Sequence, residues 1–472
     1  MVIKKAFSLL FLILLSFSAS SQLMSKSDLV LDLTFLSNAV EKGHPVNYQR
    51  QEKVNFDSLI SEVQLHYADS ITWRVYEATI REAIWELGCV HTTIKRNPTR
   101  QKDTISKGYF PLNVFTDGEH LFVFESFTDS LIEIPKSVEI TSINGVSSTE
   151  ILKQMLHFKA SDGKSKDFGI EILNKNFAAL YFLYFGVFAE YQFEYIQENE
   201  VKVSKISGMD QKVLKPKKET TYIPQSAVLI RKGKDASFYI LKDSVYYLRL
   251  DAFSRKKYKS FYKSIFKYMH LHGEHDLVID LRDNLGGSRT NVEKLLSYLV
   301  NEKISYAIVR PNENLKPFLI DENKKRFQMS YIFFDYKDFC KREKMADGVA
   351  FHYRIKPKRN VFSGSISIFV NGYTASSSTV TASNLRQHRN AVIFGQQTAG
   401  GEFFNYGGSY PNLVLPQSKI EVKTGTYKFI IGGDGTNPNG IVPDYPIQYD
   451  VNSYQQKDLE FEKFWELMEL NY

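Results

Sequence analysis

Apolar residues recur every three or four positions through "SDLVLDLTFLSNAVEKG", "FDSLISEVQLHYADS" and "TWRVYEATIREAIWELG". That is the period of helices that bury one face. Residues from about 27 to 88 are therefore expected to be helical, with Gly88 as a stop. From about 105 to 240 the period shortens to two, in "HLFVFESF", "SVEITSING", "YQFEYIQ" and "SFYILKD", which predicts short strands. Within this region "SVEITSINGVSSTEILKQML" reads as a strand, an Asn144-Gly145 turn and a helix that Ser147 and Glu150 open as a capping box. From about 241 strands alternate with helices. "SVYYLRLDAF" is a strand and "YKSFYKSIFKYMH" an amphipathic helix. "DLVIDLRDNLGGSRTNVEKLLSYLV" and "SISIFVNGYTASSSTVTASNLRQH" each run strand, turn, helix, and "NAVIFGQQTAGG" adds a further strand. This order predicts a mainly parallel sheet covered on both faces. A Lys- and aromatic-rich stretch over 305–360 interrupts it.

The N-terminus departs from these patterns. Lys4 and Lys5 precede an apolar run from Ala6 to about Phe17 and small residues at 18–21. This is the pattern of a secretory signal peptide over residues 1–21, cleaved before Gln22. The run is too short to span a bilayer, which needs about 20 apolar residues, and no later segment is long and apolar enough to do so. The protein is therefore expected to be exported, to a periplasm or the extracellular space. With 472 residues and 43% hydrophobic residues, a full core is available. Aromatic residues make up 14% of the chain, mostly Phe and Tyr, which fits β-rich packing. Net charge is +7, or +5 without Lys4 and Lys5. The lysines are scattered, with no basic stripe of the kind that binds nucleic acid. Cys89 and Cys340 fall in different parts of the chain and are expected as free buried thiols.

Candidate chemistry centres on two turns. A serine hydroxyl becomes a nucleophile when a base takes its proton and donors await the oxyanion. Ser376, Ser377 and Ser378 all sit where a strand turns into a helix, a place that suits a nucleophile and equally a helix cap. In "VIDLRDNLGG", Gly286 and Gly287 follow the carboxyl end of a buried strand, where parallel sheets place ligand crevices. Glycine lets backbone N–H groups come close to a ligand there. The ten histidines include no HExxH and no cluster with Cys or carboxylate at ligand spacing. No phosphate-binding glycine loop appears, and no G-x-S-x-G elbow. No metal and no cofactor are expected.

In order along the chain, "DLRDNLGG", "NGYTASSS", "IFGQQTAGG" and "GIVPDYPI" resemble the core of the tail-specific, or C-terminal-processing, serine peptidases of family S41. Upstream, "KGHPVNY" with "AIWELGCVHTTI" resembles the helical segment of the branch that includes tricorn protease. "SVEITSINGVSSTEIL" resembles the family's embedded PDZ-like module. The resemblance implies Ser376 as nucleophile, since it follows a small residue in a T/S-A-S turn. It implies oxyanion donors in the Gly286-Gly287 turn and at Ser377 N–H, leaving open which glycine donates. Many members use a lysine that would fall at Gly401, so a Ser-Lys pair is not expected here. The histidine of the tricorn-like branch corresponds to His91, the expected general base. The family's supporting glutamate corresponds most closely to Asn437, a possible third member that carries no charge. Val90 stands where tricorn has an orienting serine. Asp444 is expected to order the final turn and His44 to pack between helices.

The implied architecture after the signal peptide has three parts. These are a helical domain over 22–104, a PDZ-like β-rich domain over 105–240, and an α/β catalytic domain of ClpP/crotonase-like fold over 241–472. The implied activity is a serine endopeptidase acting on peptides or proteins through Ser376 and His91. The absent lysine and glutamate counterparts also suit a second reading, a weak or inactive peptide-binding protein of the same fold. Oligomeric state is not indicated.

Overall fold

The computed structural model describes residues 23–48, 56–98, 107–126, 134–210, 223–224, 227–242, 245–273, 275–311, 315–321, 323–325, 327–329, 341–345, 348–408, 410–432, 437–454 and 456–470. The expected signal peptide and Cys340 lie outside these residues.

The helical reading of the N-terminal segment holds. Helices run over Lys26–Gly43, Asp57–His66 and Trp73–Glu86. Ser25 and Thr72 cap the first and third, accepting from Ser27 N–H and Val75 N–H, which supplies donors a helix start leaves unpaired. Leu29, Leu33, Leu36 and Val40 on the first helix meet Tyr76, Ile80, Ala83 and Ile84 on the third in one buried cluster. The same cluster takes in Leu413, Leu415, Ile420 and Val422 from far along the chain. The helical segment is thus closed from the C-terminal side. Gly88 leaves the third helix at φ 54°, and strand Thr93–Arg96 then pairs antiparallel with Glu421–Lys423. His91 lies in the connection. His44 accepts from Val46 N–H through Nδ1 at 3.1 Å, so its Nε2–H faces Thr92 Oγ1 at 3.0 Å. Its role is to anchor the loop that carries His91.

The middle region is an antiparallel sheet of strands Leu112–Thr116, Leu121–Ser126, Glu139–Ile143, Glu190–Gln197 and Glu200–Ser207, with Val146–Ser147 paired to the third. Asn144 and Gly145 take φ of 51° and 78°, as a tight hairpin turn requires. Ser147 Oγ then accepts from Glu150 N–H at 3.3 Å and starts helix Ser148–Met155. Helix Lys166–Phe185 packs on the strand Leu112–Thr116.

The third region is built on a seven-stranded sheet. Its strands, in spatial and chain order, are Val228–Lys232, Ala236–Ile240, Tyr246–Leu250, Leu277–Asp280, Ile366–Val370, Val392–Gly395 and Tyr445–Pro446. The first two pairings are antiparallel and the remaining four parallel. Helices Tyr258–His272, Arg289–Leu299 and Ser377–Arg389 make the crossovers. The boundary expected at 240/241 falls inside this sheet. Residues 228–240 join it because Phe238 packs into the same core as Tyr246, Leu248 and Leu250. The stretch expected as an insertion supplies strands Ile304–Pro311, Lys341–Met345 and Gly348–Ile355. With Tyr427–Ile430 and Phe404–Gly407 they form a five-stranded antiparallel sheet. Among the described residues no helix is long and apolar enough to cross a membrane.

One buried charge network fixes the end of the strand that leads into the Gly286-Gly287 turn. Asp280 is fully buried. It accepts from Tyr247 Oη at 2.7 Å, pairs with Arg249 Nη1 at 2.9 Å and meets Arg282 Nη2 at 2.7 Å. Arg282 Nη1 also reaches Asp458 at 2.8 Å and Glu460 at 3.0 Å, tying in the start of helix Leu459–Leu470. Burial alone would raise the Asp280 pKa. The charges of Arg249 and Arg282 outweigh it and hold the carboxyl below the usual carboxylate range. A depressed folded pKa contributes stability that is present above the unfolded value and lost as pH falls through the folded one. Asp280→Ala takes from Arg249 and Arg282 the buried carboxylate they share and is expected to cost about 3–5 kcal/mol in urea unfolding at pH 7. In wild type this contribution is expected to persist through mildly acidic pH and fade only below the usual carboxylate range.

Candidate active site

Two turns meet at the carboxyl ends of strands Leu277–Asp280 and Ile366–Val370, and hydrogen bonds between them set the geometry. Asn371 Oδ1 accepts from Asp283 N–H and its amide donates to Asp283 Oδ1, both at 2.9 Å. Thr374 Oγ1 donates to Leu281 O at 3.0 Å. Ala375 N–H donates to Asn284 O at 3.2 Å. The fully buried Asn284 also donates to Leu250 O at 2.7 Å. Lys175, from helix Lys166–Phe185, reaches Asp283 Oδ1 at 2.6 Å and lies over the Tyr373 ring. Asn284, Asn371 and Lys175 were not singled out from the sequence. The two asparagines stand inside the motifs "DNLGG" and "NGYT", next to residues that were.

These bonds place Ser376, Ser377, Gly286 and Gly287 together. Ser376 takes φ 57° and ψ −120° at the start of helix Ser377–Arg389. A non-glycine residue there is strained. The three serines, equivalent by position, differ in environment. Ser378 is fully buried. Ser377 Oγ donates to Gly287 O at 3.1 Å. Ser376 is half-buried, and its hydroxyl makes no hydrogen bond with any described residue. The glycines also differ. Gly286 N–H donates to Asn284 Oδ1 at 2.8 Å. No described residue accepts from Gly287 N–H or Ser377 N–H.

His91 is half-buried and stacks on Tyr410, with ring centroids 5.6 Å apart. Burial, reinforced by the positive charges of Lys423 and Lys159, pushes its pKa down to about 3, so the ring is neutral at pH 7. Its Nδ1 is buried and has no partner. His91 is linked to the serine turn through Asp162, which sequence reasoning missed. Asp162 Oδ1 accepts from Val90 N–H at 2.9 Å and Oδ2 from Gly401 N–H at 3.0 Å. Gly400 lies against Ser376, where a Cβ would come within 2.8 Å of Ser376 N. No hydrogen bond joins His91 to Ser376. Such contacts are often long without substrate. Burial pushes the Asp162 pKa up to about 7 against the two N–H bonds. Cys89, also buried, completes a cluster the histidine spacing did not reveal: Cys89, His91 and Asp162 bring ligand atoms within 4.8 Å of one another.

A Cβ at Gly401 would meet Phe404 O at 2.2 Å, so this backbone has no room for a lysine there. Asn437 is exposed, its Oδ1 accepts from Asn439 N–H at 3.0 Å, and no hydrogen bond joins it to His91. Asp444 accepts from Ile393 N–H at 2.7 Å and Arg386 Nη2 at 3.2 Å, so it orders the final turn.

Residues 244–447 match the model of Peptidase family S41. This stretch is a domain of peptidase family S41. With that it is a serine-type hydrolase. Its fold also resembles solved structures. Mature CPAF aligns over 93% of this chain and 96% of its own, at 15% identity and a TM-score of 0.61. Mature CPAF complexed with lactacystin aligns over 94% and 97%, at 14% identity and a TM-score of 0.61. At these identities the likeness is one of fold. No curated protein matches the chain in sequence.

The S41 site leaves no space at Gly286. A Cβ there would lie 2.8 Å from both Ser376 Cβ and Ser377 N, on a backbone at φ 100°. Gly286→Ala is expected to lower stability by about 1–3 kcal/mol, read as a fall in thermal midpoint.

Proposed function

We propose that the protein hydrolyses peptide bonds by acyl transfer through Ser376, with His91 as general base. One observation carries this reading. A half-buried, unpartnered Ser376 hydroxyl sits on a strained turn beside two backbone N–H groups that no described residue uses. His91 takes the Ser376 proton as Oγ attacks the carbonyl carbon. The oxyanion lies between Gly287 N–H and Ser377 N–H, while Gly286 N–H stays on Asn284. His91 then returns the proton to the leaving amine, and water repeats the cycle on the acyl-enzyme. The tie through Asp162, from Val90 beside His91 to the serine turn, supports His91 in this role. Asn437 does not contribute as third member in this reading.

Substrates are peptides or protein segments. The antiparallel region with its Asn144-Gly145 turn supports a PDZ-like reading, in which an extended peptide adds as a strand. The mainly parallel seven-stranded sheet supports a ClpP/crotonase-like catalytic unit. The N-terminal pattern supports export to a periplasm or beyond. A second reading, a peptide-binding protein with weak or no activity, is favoured by the uncharged Asn437 and its lack of a bond to His91.

A fluorophosphonate probe and a mixture of denatured proteins separate the two. Wild type is expected to be labelled at Ser376 and to cleave. Ser376→Ala and His91→Ala are each expected to lose on the order of 10⁴-fold or more, and the double variant little beyond either. Cleavage that survives His91→Ala would assign another base. No labelling and no cleavage in wild type would favour the binding protein.

A further inference from the structure

We propose that Cys89, His91 and Asp162 form a binding site for a divalent cation of the zinc class, and that occupying it takes His91 out of catalysis. The second half rests on His91 being the base. The first half does not.

The three side chains come from two segments. Cys89 and His91 lie on the loop after helix Trp73–Glu86, and Asp162 lies at the turn Asp162–Lys164. Their ligand atoms lie within 4.8 Å of one another, a separation that small side-chain movements close onto one ion. Thiolate, imidazole and carboxylate together are the donors zinc takes, and three protein ligands leave a fourth position for water. Magnesium and calcium favour oxygen donors alone.

The surroundings are those of a ligand set. His91 Nδ1 is buried without a hydrogen-bond partner, and a buried polar atom left so is costly. No hydrogen bond from Asp162 or Cys89 meets the ring. Each Asp162 oxygen accepts one backbone N–H, from Val90 or Gly401. That orients the carboxylate and leaves a lone pair on each oxygen. Thr92 Oγ1 donates to Cys89 Sγ at 3.4 Å and is itself placed by His44. Partners of this kind orient first ligands and strengthen metal binding.

Charge balances on binding. The Cys89 thiol gives up its proton to solvent as sulfur bonds the ion, with no change of oxidation state. Thiolate and carboxylate then cancel the two positive charges. Lys423 and Lys159, whose charges reach His91, oppose a bare cation, and the neutral complex avoids that repulsion. An imidazole lone pair given to a metal cannot accept the Ser376 proton, so one ion blocks acyl transfer.

The test uses the full chain stripped with a chelator. Co²⁺ is the spectroscopic probe and Zn²⁺ the competitor. One Co²⁺ per chain with a thiolate-to-metal charge-transfer band is expected, displaced by Zn²⁺. Cys89→Ser and Cys89→Ala are each expected to abolish the band and weaken Zn²⁺ binding at least on the order of 100-fold. Asp162→Asn is expected to weaken it while the band persists. In peptide hydrolysis, Zn²⁺ is expected to inhibit wild type reversibly. Each Cys89 variant, measured against its own uninhibited rate, is expected to need about 100-fold more Zn²⁺. No band, or a band unchanged in both Cys89 variants, overturns the site. A Cys89-dependent band with hydrolysis untouched by bound Zn²⁺ leaves the site standing and overturns both its inhibitory role and His91 as base. If the chain hydrolyses nothing, the absorption arm still decides the site.

Discussion

Asp162 gives one carboxylate oxygen to Val90 N–H and the other to Gly401 N–H, and its own N–H bonds Ala399 O at 2.7 Å. Through these three bonds a turn in the middle of the chain sets an N-terminal loop against a C-terminal one. The first loop carries His91. The second carries Gly400, packed on the backbone of Ser376. No covalent neighbour relates these two loops, and one buried acid bonds directly to both. Holding it is unfavourable in itself: burial pushes the carboxyl pKa up to about 7, even with both N–H groups drawing it down. Removing it would leave the buried Gly401 N–H without its acceptor, at about 1–3 kcal/mol, and free the part-buried Val90 N–H as well.

The corner where the glycine and serine turns meet is assembled by asparagines. Asn284 occupies Gly286 N–H and accepts from Ala375 N–H, so one residue both shapes the glycine turn and holds the serine turn. Asn371 does the reciprocal job on Asp283. Gly286 is required by approach, since any Cβ would collide with Ser376 and Ser377. What these contacts leave over is the pair of N–H groups at Gly287 and Ser377. No described residue accepts from either of them.

Local features were legible in the sequence. The Asn144-Gly145 turn, the Ser147 cap and the helix stop at Gly88 depend on residues close in the chain, and each appears where its pattern puts it. The choice among Ser376, Ser377 and Ser378 was not a matter of pattern, because three adjacent serines share one local context. Their burial and partners separate them, and those depend on Gly287 and the packing of the helix. Asp162 gave no signal, since its partners lie 72 and 239 residues away. The same holds for the cluster of Cys89, His91 and Asp162. Strands 228–240 alternate like those before them, and alternation does not say which sheet a strand joins. Phe238, by filling the core beside Leu248, decides it.

A fold kept only for binding has no physical use for this arrangement. A serine held at φ 57° costs on the order of 1–3 kcal/mol. Stability alone would favour a glycine there, or a hydroxyl turned onto a carbonyl as Ser377 is. The buried His91 Nδ1 without a partner is a second cost, which a water-exposed or apolar side chain would avoid. The two loops that carry them are joined through Asp162. A strained serine with an unbonded hydroxyl beside unused backbone N–H groups suits acyl transfer better than passive binding. The uncharged Asn437 removes one means of stabilising an imidazolium, and it changes neither the strain at Ser376 nor the two free N–H groups beside it.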